Sequence, residues 1–172
     1  MDYVRSADIP NIELYMDQVT SFMDEQLNSS KRYEDDKILT KTMINNYAKN
    51  HLLPPPVKKK YSKEHVIVMI FIYYFKTILS IKDIETILSP ITEKYFDSDQ
   101  AIDIASIYEE VCNTAKKQIH DLENEVKAAY ETSQKTFQNI EGLSVEDQRY
   151  LKLFSLISSL SFDVYAKKAL IE

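Results

Sequence analysis

The chain has 172 residues, 44% of them hydrophobic and 28% charged, enough for one ordinary domain or a small domain with an extension. Its net charge of −6 and pI near 5.2 exclude a generally basic nucleic-acid binder but not a local basic patch. A single glycine, Gly142, excludes the glycine-rich turns of a dinucleotide-binding fold or a P-loop, and the scarcity of positive-φ residues points to a mostly helical chain.

Residues 1–8 read as a loose start. A helix is expected from Pro10 or Asn11, where Ile12, Tyr15, Met16, Val19, Phe22, Met23 and Leu27 recur at helical spacing. Residues 28–37 are polar and read as a loop. Thr40 is placed to N-cap a helix whose apolar side carries Met43, Ile44, Tyr47, Ala48 and Leu52. Pro54, Pro55 and Pro56 are expected to end that helix near His51.

"PPPVKKKYS" is extended, with the character of a small hairpin or wing. Ser62 starts a helix to Thr77 that is apolar on most sides, the centre of the core. Its longest apolar run, "VIVMIFIYYF", spans only about half a bilayer as a helix. Ser80 caps a short helix over 81–88, with Ile81, Ile84, Ile87 and Leu88 on one face, and Pro90 ends it.

From about Ser98 a long helix carries Ile104, Ile107, Tyr108, Val111, Ala115, Ile119, Leu122, Val126, Ala129, Tyr130 and Phe137, a narrow stripe of coiled-coil character, until Gly142 breaks it. Ser144 with Asp147 starts a last helix to about Leu170, apolar over too wide an arc for a lone surface helix.

Charge is uneven along this order. From Lys37 to Lys63 there are seven lysines and no carboxylate, whereas residues 91–172 carry nine basic and fifteen acidic side chains. A helix starting at Thr40 exposes Thr40, Lys41, Asn45, Asn46 and Lys49. Asparagine pairs with adenine in the major groove, and lysine holds phosphate. Lys58, Lys59, Lys60 and Tyr61 on the wing would grip the neighbouring backbone. These residues are the candidate DNA contacts.

"MINNYAKNHLL", "KKYSKEHVIVMIFI" and "SIKDIETIL" together resemble the DNA-binding domain of MerR-like regulators. Tyr47, Leu52, Leu53, Lys59, Lys60, Tyr61, Ser62, Glu64, Phe71, Ile72, Ser80, Ile84, Ile87 and Leu88 fall in order on that pattern. Asn45 and Asn46 stand where those regulators usually carry arginine and tyrosine, so base preference does not carry over. "IPNIELYMDQVTSFM" and "LTKTMINNYAKNHLLPPPVKKKYSKEH" are similar to hallmarks of a bacterial family, domain of unknown function 1836, over about residues 8–110. The resemblance implies a winged helix-turn-helix fold, DNA binding and dimerisation through a helix after that domain.

Other chemistries fare worse. His51, His65, His120 and Cys112 lack metal-ligand spacing. Cys112 lies mid-helix beside Val111, a packed thiol rather than a nucleophile, and the carboxylate pairs are adjacent rather than facing across a cleft. With one cysteine no internal disulfide forms.

The expectation is therefore an all-α chain with a small β wing: a winged helix-turn-helix domain over 8–97 and a helical dimerisation region over 98–172. It would be a cytoplasmic homodimeric transcription regulator that binds double-stranded DNA, with no enzymatic activity, cofactor or membrane association. About four phosphates neutralised per protomer would give a log–log salt slope near −7. The rival reading is a helical protein–protein adaptor that does not bind DNA.

Overall fold

The centre of the fold is a stretch in which every residue from 65 to 72 is buried. A computed structural model gives the structure of residues 3–172, apart from the side chain of His120. Within it the buried stretch belongs to helix α3 (Lys63–Phe75), which is apolar on all sides because other elements cover every side. Fully burying one isoleucine or valine stabilises a fold by about 1.5–3 kcal/mol, so α3, with seven buried apolar side chains, is the element that contributes most to the hydrophobic term.

The covering elements come in chain order. β1 (Leu14–Tyr15) leads into α1 (Met16–Leu27), which buries Val19, Met23 and Leu27. α2 (Lys41–Lys49) buries Ile44 and Tyr47, and β2 (Lys60–Tyr61) follows. α4 (Ile81–Tyr95) buries Ile84 and Leu88. α5 (Ile104–Gln134) contributes Ile104, Tyr108 and Cys112 from its first turns. The buried Tyr108 hydroxyl donates to the Val4 carbonyl at 2.6 Å. Burial pushes its pKa up and keeps that proton in place. The chain divides into two compact units, the first ending at Asn113 and the second covering Thr114–Glu172. The first unit thus includes the opening turns of α5.

Several expected boundaries move. Residues 10–15 are not helical: Leu14 and Tyr15 pair antiparallel with Tyr61 and Lys60. The Tyr15 amide donates to Gln18 Oε1 at 2.8 Å, and Ile12 lies exposed. Helical periodicity over 12–16 was accidental, since a strand partner 45 residues away cannot be read locally.

α2 is capped by Thr40, as expected, whose Oγ1 accepts from the Met43 amide at 3.2 Å. It ends at Lys49, before the prolines. His51 takes φ 58°, its amide reaches Ala48 O, and the Leu52 amide reaches Tyr47 O at 2.9 Å. That pair of bonds is a Schellman stop with histidine in the place glycine usually takes.

α3 ends at Phe75, and Thr77 lies in the turn beyond it. α4 runs through Pro90 to Tyr95. Proline removes one helical donor, but the turn beyond it holds because Ile91 and Tyr95 pack on the core. The Thr92 hydroxyl also reaches the Leu88 and Ser89 carbonyls, both at 3.1 Å. Ile81 and Ile87 are exposed, so the buried face of α4 is narrower than its apolar pattern.

α5 starts at Ile104 rather than Ser98, because Asp103 Oδ1 accepts from the Ser106 amide at 2.7 Å and caps it. It stops at Gln134, where Lys135 and Thr136 turn back with tighter bonds and Phe137 takes φ 53°. Gly142 lies in the connection, not at the break.

In the second unit, α6 (Val145–Ile171) begins at Ser144, whose Oγ accepts from the Asp147 amide at 3.0 Å. Gln148 Nε2 donates to Phe137 O at 2.9 Å, and Lys167 lies 3.7 Å from Glu125, which holds α6 alongside the distal part of α5. No residue of α6 is fully buried. Among the described residues, no helix is long and apolar enough to cross a membrane.

Candidate nucleic-acid interface

The basic stretch is distributed over α2 and a hairpin tip. On α2, the burial of Ile44 and Tyr47 leaves Lys41, Asn45, Asn46 and Lys49 on the exposed side. Thr42, exposed between them, belongs with this set although spacing alone did not single it out. Thr40 is half-buried and its hydroxyl oxygen is occupied by the cap.

Residues 57–60 form the tip. The Lys60 amide donates to Val57 O at 2.9 Å, the two residues bridge, and Lys58 and Lys59 take φ 50° and 65°. Positive φ at both central positions defines a type I′ hairpin turn, which normally selects asparagine and glycine. Two lysines occupy these strained positions, each at a cost of about 1–2 kcal/mol. The geometry places two cationic side chains at the outermost point of the wing.

β2 continues from the tip and pairs with β1. Lys60 lies against β1: its Nζ is 3.1 Å from Glu13 Oε2 and 5.7 Å from the Tyr15 ring centre. The Glu13 bond holds its pKa above the ordinary lysine value. Tyr61 is a core residue, only 3% exposed and edge-on to the His65 ring at 5.5 Å. Its expected grip on phosphate is thereby corrected: alternation along β2 turns Lys60 outward and Tyr61 inward.

Acidic side chains reach this surface from elsewhere. Lys41 is ion-paired with Asp17 of α1. Asp24, Glu25, Glu34, Asp35 and Asp36 line a depression that extends to Thr40. The carboxylate-free stretch in the sequence is therefore not carboxylate-free in space at its N-terminal end. Among the described residues, Lys49, Lys58 and Lys59 form no ion pair. The available positive charge is weighted toward the end of α2 and the hairpin tip.

The scaffold behind the tip is capped and packed. Ser62 caps α3 reciprocally with His65: the Ser62 amide donates to His65 Nδ1 at 3.0 Å, and the His65 amide reaches Ser62 Oγ at 3.5 Å. Nδ1 is thus the acceptor and Nε2 carries the proton in the neutral ring. The ring is buried between Tyr61 and Phe96, the latter with centres 4.7 Å apart. Burial lowers its pKa, more than the nearby Pro55 and Pro54 carbonyls raise it. Ahead of α2, Lys76 Nζ donates to the Ile38 carbonyl at 2.8 Å and ties the preceding loop to α3.

Among the described residues no group of three or more His, Cys, Asp or Glu side chains is arranged to hold a metal ion. Cys112 is buried, and the His120 side chain lies outside the described residues.

Residues 4–111 match the family model described as Domain of unknown function (DUF1836). That match covers more than half of the chain, and the chain belongs to this family. No curated protein and no solved structure is similar enough to count as a match.

Proposed function

We propose that this member of the DUF1836 family is a homodimeric, sequence-specific DNA-binding transcription regulator whose first unit works as a MerR-like winged helix-turn-helix. The observation that carries the reading is the hairpin tip: two unpaired lysines held in a type I′ turn eight residues beyond a helix exposing Asn45, Asn46 and Lys49. A strained turn that favours asparagine–glycine but carries lysine–lysine supports selection for charge at that point.

Support also comes from element order. Helix α1, capped helix α2, hairpin, core helix α3 and helix α4 follow as a winged helix-turn-helix requires, and β1 closes on the base of the wing. In this reading α2 enters the major groove, with Asn45 and Asn46 at base edges. Lys49, Lys58 and Lys59 neutralise phosphates, while Lys41 and Lys60 contribute less because Asp17 and Glu13 already balance them.

Three phosphates per protomer, six per dimer, give a log–log salt slope of about −5, shallower than the sequence-based −7. Titration of the purified chain against genomic promoter fragments at increasing salt reads that slope. A flat dependence, or no fragment bound at low salt, would sink the proposal. It would favour the protein–protein adaptor, which the exposed apolar residues of α6 independently support.

A further inference from the structure

We infer that α6 is a dimerisation helix, pairing antiparallel with α6 of a second copy of this chain about a two-fold axis near Ile157. The inference rests on the homodimer proposed above and deepens it by assigning the interface to α6, where the sequence pattern pointed to α5.

The outward face of α6 follows a seven-residue repeat. Tyr150, Ile157, Val164 and Ile171 are seven apart, with Leu153 and Leu160 interleaved at three and four. All but Leu160 are more than half exposed, and Leu160 is half-buried. This is the spacing of a two-stranded seam. The other side of the helix, through Leu151 and Leu156, is half-buried in the hairpin with α5. The seam is therefore a second, largely exposed apolar face, of which Tyr150 and Leu153 also border a groove with Tyr130, Ser133 and Gln134 of α5.

Three features select a second copy as occupant. First, the seam is self-complementary in charge: it begins at Glu146 and ends at Lys168, which share the helical face of Ile157 and lie eleven residues either side of it, although Lys168 Nζ is also 3.0 Å from Glu172 at the end of its own helix. Antiparallel pairing about Ile157 sets Glu146 of each copy opposite Lys168 of the other, whereas a parallel pair would set like charges together. Secondly, two-fold association uses the same patch twice, which a seam apolar along its middle, from Tyr150 to Val164, satisfies without an alternative surface. Thirdly, the six apolar side chains of the seam offer roughly 500–600 Å² per copy at about 100 Å² each, and the flanking charges bring this toward the ~800 Å² per partner of a standard interface.

The test is sedimentation of the full chain at micromolar concentration, with circular dichroism as the check on helix content. The wild type is expected to be a dimer, and Ile157→Glu or, independently, Val164→Glu should weaken it at least tenfold with helicity retained. Glu146→Lys alone should weaken the dimer, and Glu146→Lys with Lys168→Glu should restore it. A dimer that survives both seam variants and is lost instead in Leu122→Glu on α5 overturns the α6 interface but leaves the homodimer standing. Failure of the charge-reversed pair to restore association overturns the antiparallel arrangement. A monomeric wild type overturns the interface and the homodimer together, and the salt titration on DNA decides the DNA-binding reading separately.

Discussion

At the scale of single residues, His65 couples folding to pH. Its Nδ1 accepts from the Ser62 amide, and the ring is buried between aromatics, so the folded state favours the neutral form and its pKa is lowered from the ordinary 6.5. The unfolded chain takes up the proton first. The stability His65 contributes is complete above about pH 6.5 and falls as pH drops from there through the lowered folded value, by up to about 1.4 kcal/mol per pH unit. Urea denaturation between pH 7.5 and 5 should show this slope. His65→Gln keeps a residue able to complete the capping box and removes the titration, so it should flatten the curve. In the sequence His65 lacks metal-ligand spacing and stands close after Ser62 at a helix start; its burial and the Ser62 amide bond show it completing the cap. Tyr61 was misread because exposure is set by what packs on the strand.

Two elements carry local conflicts that make separate predictions. In the hairpin, Lys58→Asn with Lys59→Gly supplies the residues a type I′ turn prefers. It should raise stability by up to about 2–4 kcal/mol while lowering DNA affinity and bringing the salt slope toward zero by about 4 per dimer. Thermal unfolding and DNA titration together read both effects; a stability gain without loss of DNA affinity would place the DNA contacts elsewhere. In α4, Pro90 is exposed and its missing amide leaves the Thr86 carbonyl without its helical donor. Pro90→Ala should raise stability by about 1–3 kcal/mol, visible as a higher denaturation midpoint. The sequence reading stopped α4 at this proline because local cost argues for a stop. Ile91 and Tyr95 on the core outweigh that cost, and their contribution is visible only after folding.

For the whole molecule, the two readings meet in symmetry. A two-fold dimer of DNA-binding units calls for an inverted-repeat operator. Destroying one half-site should reduce the salt slope from about −5 to about −3, and affinity should fall with it. Binding measurements on paired operator fragments decide this; an unchanged slope would mean that one protomer binds alone. The acidic total charge does not exclude such binding, because residues 37–63 carry seven lysines and no carboxylate, but most of the acidic excess lies in residues 91–113, within the first unit itself.

The sequence by itself determined what depends on near neighbours. Thr40, Ser62, Ser80 and Ser144 marked helix starts because a capping hydroxyl serves amides two or three residues away. The unbroken apolar run marked α3 as the centre because no surface helix lacks a polar face. The ordered motifs over about 8–110 identified the family later matched over 4–111. Tertiary structure alone decided what depends on distant partners. It drew Leu14 and Tyr15 into a strand, turned Tyr61 inward, carried α4 through Pro90, set Asp17 and Glu13 against two of the lysines, and left the α6 seam open. Backbone pairing, ion pairing and burial act across space, so a charge count along the chain overstates the basic surface wherever another element brings its carboxylates alongside.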